Sequence, residues 1–331
     1  MSVTEWLWVL FAAMIAVILW LDLGFLNRKK EAPSLRSSIT WSLVWVAMAL
    51  LFNAAIWLEE GSEPALTFLT AYLIERSLQI DNLFVFMLVF NYFRVPAPNL
   101  PRVLFWGIVG AVVLETIFIL FGIALLRLFH WVIYVFGVLL LYSAYRMLRG
   151  KDEDIDPGSN PVVRAVRNFM PVTDSFEGDR FFVRRPNRQG RQVLMATPVV
   201  LVVVAIGISD LVFAIDSIPA VLSISTDYFI ILTSNILAVM GLRVMYFAIA
   251  SFVGMFRFLS HGLALVLAFV GLKLLSTDFL LHYFGFELPI IYSLLIVLGI
   301  LGVAVAVSII LPQTKGAAGG RVAAEPPAPD K

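Results

Sequence analysis

Residues 66–90, LTFLTAYLIERSLQIDNLFVFMLVF, and residues 199–222, VVLVVVAIGISDLVFAIDSIPAVL, decide the fold of this chain. Each is an apolar run long enough to cross a bilayer, for which about 20 residues suffice. Each nevertheless carries two acids with the same spacing: Glu75-x5-Asp81-Asn82 in the first and Asp210-x5-Asp216-Ser217 in the second. A carboxylate at mid-bilayer costs about 2.5–3.5 kcal/mol on insertion scales, so four of them demand a functional reason. Their equal separation predicts a duplicated unit with a cation site between the copies.

Composition agrees with a membrane-spanning chain. Of 331 residues 60% are hydrophobic and 14% charged, and the mean hydropathy is +0.92. A soluble domain would be nearer a quarter charged. The net charge of +1 gives no electrostatic basis for nucleic acid as a partner; the partners expected are the lipid bilayer and a divalent metal ion. Cysteine is absent, which excludes disulfides, thiolate catalysis and cysteine-held zinc or iron–sulfur centres. His130, His261 and His282 share no ligand spacing. No permanently bound cofactor and no enzymatic activity are expected, and redox chemistry has neither thiol, haem ligand nor nucleotide motif to work with.

Apolar windows predict an all-α membrane protein of about nine transmembrane helices, near 4–26, 39–58, 64–93, 102–127, 129–148, 195–222, 229–253, 261–281 and 288–312. Arg28, Lys29, Lys30 and Arg36 follow the first span, and Arg94, Arg102, the 149–194 loop, Arg257, Lys315, Arg321 and Lys331 fall on the same side. The opposite side holds Arg127 and the acids Glu59, Glu60 and Glu63. The positive-inside rule then puts the N-terminus outside and the C-terminus in the cytoplasm.

Superposing Asp81 on Asp216 brings Glu75 onto Asp210 and sets Glu115 near Arg243, one mid-span charge in each copy with opposite signs. Tyr145-Arg146 falls on Leu272-Lys273. Spans three to five thus repeat as six to eight in opposite orientation, a 3+3 inverted-repeat core of the kind that places a site near the midplane. The division expected is two peripheral spans in 1–63, the first repeat in 64–148, a basic cytoplasmic loop in 149–194, the second repeat in 195–281, a final span in 282–312 and a disordered Pro/Gly/Ala-rich tail in 313–331.

Glu75, Gln79 and Asn82 share one helical face, and Ser77 and Asp81 another. Six residues turn a straight helix by about 240°, so Glu75 and Asp81 face one site only if the helix breaks. Pro219 lacks an N–H and would free the carbonyl of Ile215, which predicts such a break beside Asp216. The candidate metal ligands are Asp81, Asp216, Asp210, Glu75, Asn82 and Ser217. Arg243, Lys273 and Glu115 are the charge-balancing candidates, with Glu115–Arg243 readable as a salt bridge and Arg76 as a structural partner of Glu75. Carboxylate, amide, hydroxyl and carbonyl oxygens suit manganese, magnesium or calcium rather than zinc or copper.

Pro171-Val-Thr-Asp-Ser-Phe-Glu-Gly-Asp-Arg, Phe213-Ala-Ile-Asp-Ser-Ile-Pro-Ala220, Gly241-Leu-Arg243 and Glu75-Arg-Ser-Leu-Gln-Ile-Asp-Asn82 together resemble the TerC/Alx family over about residues 5–312. The resemblance implies an inner-membrane protein of the lysine-exporter superfamily, Mn²⁺ efflux, and links to tellurium resistance and to alkaline or redox stress. It matches Glu75, Asp81, Asp210 and Asp216 to the family's motif acids. Two positions depart from the pattern: Gly207 stands where a glutamate is usual, and Glu115 where a basic residue is usual. The expectation is a divalent metal exporter, selective for Mn²⁺ and coupled to protons. The alternative is a membrane scaffold in a stress-resistance complex with no transport of its own.

Overall fold

A computed structural model describes residues 3–21, 35–129, 131–149, 170–173, 175–178, 180–186, 192–250, 258–284 and 289–310, without the side chains of Val3, Thr4, Leu19, Leu21, Asp81, Ile309 and residues 277–284. The described helices are α1 (Val3–Leu21), α2 (Leu35–Glu60), α3 (Ser62–Phe93), α4 (Leu100–Leu128), α5 (Val132–Leu148), α6 (Pro198–Leu222), α7 (Tyr228–Met240), α8 (Leu242–Ala250), α9 (Leu259–Phe284) and α10 (Ile290–Ile310). Among the described residues each of the nine predicted segments contains a helix, the seventh as the pair α7 and α8. Among the described residues five helices are long and apolar enough to cross a membrane, or six with α7 and α8 as one bent span. The apolar stretches of α1 and α5 are shorter, and α3 is outside that group, its apolar character diluted by Glu63, Glu75, Arg76 and Asp81. Length and composition of the described residues thus support five or six of the nine expected spans.

Helices α3 and α6 form the centre. Helix α3 packs on α6 and α7, α4 packs on α6, and α5 lies along α9. Buried side chains from α3, including Phe68, Ala71, Ile74, Leu83 and Phe86, enter four separate apolar clusters. Outward faces are apolar as well: Leu51, Leu58, Phe121, Leu128 and Val138 are exposed. A surface of this kind is in its favourable solvent only in lipid.

Close approach of α5 and α9 depends on two glycines. A Cβ on Gly137 would lie 2.6 Å from Leu275 Cγ and 3.3 Å from the Gly271 carbonyl, and one on Gly271 would lie 3.0 Å from the Gly137 carbonyl. Backbones come this near only where side chains are missing, as in small-residue packing between membrane helices. Gly137→Leu should overpack this contact and cost about 1–3 kcal/mol. A lower melting temperature of the detergent-purified protein, with no comparable loss in Gly299→Ala, where a Cβ meets nothing within 4 Å, is the result expected.

Two further features differ from the sequence reading. Strands β1 (Phe182–Pro186) and β2 (Gln192–Ala196) pair antiparallel in the stretch read as a basic cytoplasmic loop, with β2 running two residues into the expected second repeat. Val183 is buried, with Val193 and Met195 half-buried, while Phe182, Arg184 and Leu194 are exposed, so the hairpin follows a period-two pattern. Thr197 fastens it to the start of α6, donating its N–H to the Phe181 carbonyl and its hydroxyl to the Arg180 carbonyl.

The expected breaks beside the acids are not formed. Helices α3 and α6 run through Glu75–Asp81 and Asp210–Asp216 without interruption. Pro219 sits three residues before the end of α6, and the helix runs on through it. The break falls at Gly241 instead, with a bend of 41° between α7 and α8.

Candidate cation site

Helix α3 brings Glu75, Gln79 and Asn82 to one face, as the spacing predicts, and this face meets α4 and α6. Gln79 Nε2 donates to Glu75 Oε1 at 2.6 Å and to Glu115 Oε1 on α4 at 3.0 Å. Its own Oε1 accepts from Asn82 Nδ2 at 3.1 Å, and Asn82 Nδ2 also reaches Asp210 Oδ1 on α6 at 3.4 Å. Asn235 on α7 makes a further side-chain hydrogen bond to Glu75. Glu75, Gln79, Asn82, Glu115, Asp210 and Asn235 are all buried.

The amide orientations follow from the partners. An amide nitrogen placed between two carboxylates donates to both, which leaves the Gln79 oxygen to accept from Asn82. The outcome is a continuous line, Glu115–Gln79–Asn82–Asp210, with Glu75 attached at Gln79. One oxygen on each acid is left over: Glu75 Oε2, Glu115 Oε2 and Asp210 Oδ2 are buried with no hydrogen-bond partner. Native structures rarely leave such groups unsatisfied.

The acids do not yet enclose a point. Among the described residues no three His, Cys, Asp or Glu side chains are arranged to hold a metal ion. Amide nitrogens stand between the carboxylates instead.

Asp216 lies elsewhere. It is six residues past Asp210, about 9 Å further along the axis and about 240° around it. It accepts a short hydrogen bond from Ser143 on α5, and the Arg146 guanidinium is close enough to act on it electrostatically. Ser217 is buried beside it. Asp81 belongs to the turn of α3 after Gln79, and its side chain lies outside the described residues.

Arg76 does not pair with Glu75; its Nη1 donates to the Ala238 carbonyl of α7 at 2.6 Å. Glu115 Oε1 takes its hydrogen bond from Gln79 rather than from Arg243. Arg243 is buried on α8, and Lys273 is half-buried on α9.

Sequence reasoning placed Gln79 on the acidic face without giving it a role. Gln79 was findable, being one turn from Glu75. Ser143 carried no such signal, because its partner is 73 residues away in sequence.

The comparisons also match an integral membrane protein. The family model described as "Integral membrane protein TerC family" covers residues 60–316. This chain belongs to the TerC family. It is 43% identical over 307 residues to a protein of Escherichia coli (strain K12) named "Putative membrane-bound redox modulator Alx", covering 90% of this chain and 92% of that one. It is 40% identical over 304 residues to a Myxococcus xanthus protein named "Uncharacterized membrane protein STKORF319", covering 92% of each. A Rickettsia felis membrane protein is 35% identical over 303 residues, covering 92% of this chain and 97% of the relative. No solved structure matches.

Proposed function

We propose that this TerC-family protein exports a divalent cation, Mn²⁺ in preference, across the inner membrane in exchange for protons. The observation that carries the reading is the set of three buried carboxylates, each with an unpartnered oxygen. Three ionised acids in a low-dielectric interior, bridged by neutral amides, are too costly to stand alone. Either protons or a cation must offset them. One site that takes protons in one state and a divalent cation in the other is the minimum chemistry of an exchanger.

Several observations support the reading. The donors are carboxylate and amide oxygens, which suit Mn²⁺, Mg²⁺ or Ca²⁺. Gln79 and Asn82 each carry an amide whose oxygen would join the ligand set if the side chain turned over. Asp216, Ser143 and Arg146 then form a second polar station on the opposite side of α6. Packing of α3 on α7 and of α4 on α6 corresponds to one contact used twice, as a two-fold inverted repeat requires, and α5–α9 is the pair lying across the axis. The arginines of β1 support a cytoplasmic placement of the hairpin under the positive-inside rule, with the N-terminus outside.

The test is Mn²⁺ flux in sealed proteoliposomes under an imposed pH gradient, for the wild type, Asp210→Asn and Asp216→Asn, each checked for monodispersity. Flux by the wild type that vanishes in well-folded Asp210→Asn is the result expected. No wild-type flux under any gradient would sink the exporter and favour a scaffold in stress resistance.

A further inference from the structure

The break between α7 and α8 has a visible cause. In a continuous helix the Ala238 carbonyl would accept from the N–H of Leu242. Arg76 reaches in from α3 and donates Nη1 to that carbonyl, at 2.6 Å. A side chain entering the hydrogen-bond ladder is one of the few recognised causes of a sharp bend.

Gly241 is what makes room for it. A Cβ there would lie 2.7 Å from both Nη1 and Nη2 of Arg76 and 3.1 Å from Cζ. The backbone does not ask for glycine, since φ −81° and ψ −2° are open to any residue. By helix propensity alone, alanine at 241 would be neutral or favourable. A side chain at 241 would therefore have to displace the guanidinium from its place against the Ala238 carbonyl.

The same stretch of α7 holds the residue next door. Asn235 hydrogen-bonds Glu75, and Ala238, three residues later, takes Arg76. Two consecutive residues of α3 are thus gripped by one turn of α7 immediately before its break. We infer that Arg76 and Gly241 form a positioning latch, which couples the angle between α7 and α8 to the placement of Glu75 in the acidic cluster. This rests on the exporter reading and adds to it the joint through which helix motion reaches the acids. Arg76 touches no cation; it acts through Glu75.

A double-mutant cycle tests the latch in Mn²⁺ flux, with purified full-length protein in proteoliposomes. Gly241→Ala should slow flux about tenfold or more, since small displacements of positioned groups have effects of that order. Arg76→Lys keeps one donor for Ala238 but loses the rigid fork, and should have the smaller effect. Combining them should restore most of the flux lost in Gly241→Ala, because a lysine can draw back from the new methyl. Gly299→Ala controls for helix propensity. If Gly241→Ala fails to fold, the lysine must also restore folding. Wild-type flux in Gly241→Ala, or a double variant as slow as Gly241→Ala, overturns the latch. Absent wild-type flux is a different failure, since it removes the exporter reading before any variant is compared.

Discussion

Glu75→Gln should raise the melting temperature of the cation-free protein while reducing Mn²⁺ flux to background. The substitution keeps the shape of the side chain and keeps an oxygen able to accept from Gln79. It replaces a buried carboxylate whose Oε2 has no partner with a neutral amide. Relief of an unsatisfied buried charged group is worth about 1–3 kcal/mol. The same change removes an anionic ligand, so stability and transport move in opposite directions. Added Mn²⁺ supplies the complementary measurement. A ligand bound only by the native state stabilises by mass action, about 2.7 kcal/mol at a hundredfold excess over Kd. Wild type should therefore melt later in Mn²⁺, and Glu75→Gln should not respond. A scaffold whose acids hold the fold together would behave in reverse: Glu75→Gln would be scarce and less stable, with no effect of Mn²⁺ on either protein.

Gln79→Leu should be among the most destabilising single changes in the chain. The amide serves Glu75 and Glu115 with one nitrogen and Asn82 with its oxygen. Leucine is apolar, one bond shorter, and offers neither. Two buried acids would lose their bridging donor, and Asn82 would lose an acceptor. Removing one partner from a buried charged network costs about 3–5 kcal/mol. Asn53 provides the contrast, since it is also a buried amide in a helix but its Oδ1 has no partner. Asn53→Leu should be close to neutral. Thermal unfolding of both variants in the same detergent decides between them, and equal losses would mean that the Gln79 bridge carries no special weight.

Local chemistry was legible in the sequence, and long-range geometry was not. The face carrying Glu75, Gln79 and Asn82 could be read because an α-helix fixes which residues align at intervals of three and four. The helical segments could be read because apolar runs of that length have few alternatives. The bend could not be located. Pro219 is the stronger local breaker, yet it falls in the last turn of α6, where little is left to break. Gly241 looks innocuous until Arg76 arrives from 165 positions earlier. Asp210 and Asp216 were legible as a pair, but their separation around the helix axis sends one to α3 and the other to α5. The hairpin from Phe182 to Ala196 was obscured by its arginines, which read as a solvated charge run although Val183, Val193 and Met195 alternate beneath them.

The meeting of Gly137 with Gly271 sets terms for how this chain can change over generations. Each carbonyl stands where the other residue's side chain would grow, so neither position can drift on its own account. A larger residue at either one forces α5 and α9 apart along their length, and no second substitution at the facing glycine can compensate, since nothing smaller exists. Leu51, Phe121 and Val138 on the outer faces are under no such rule and can exchange freely among apolar types. Divergence should therefore accumulate on the lipid-facing side and stall along this one seam.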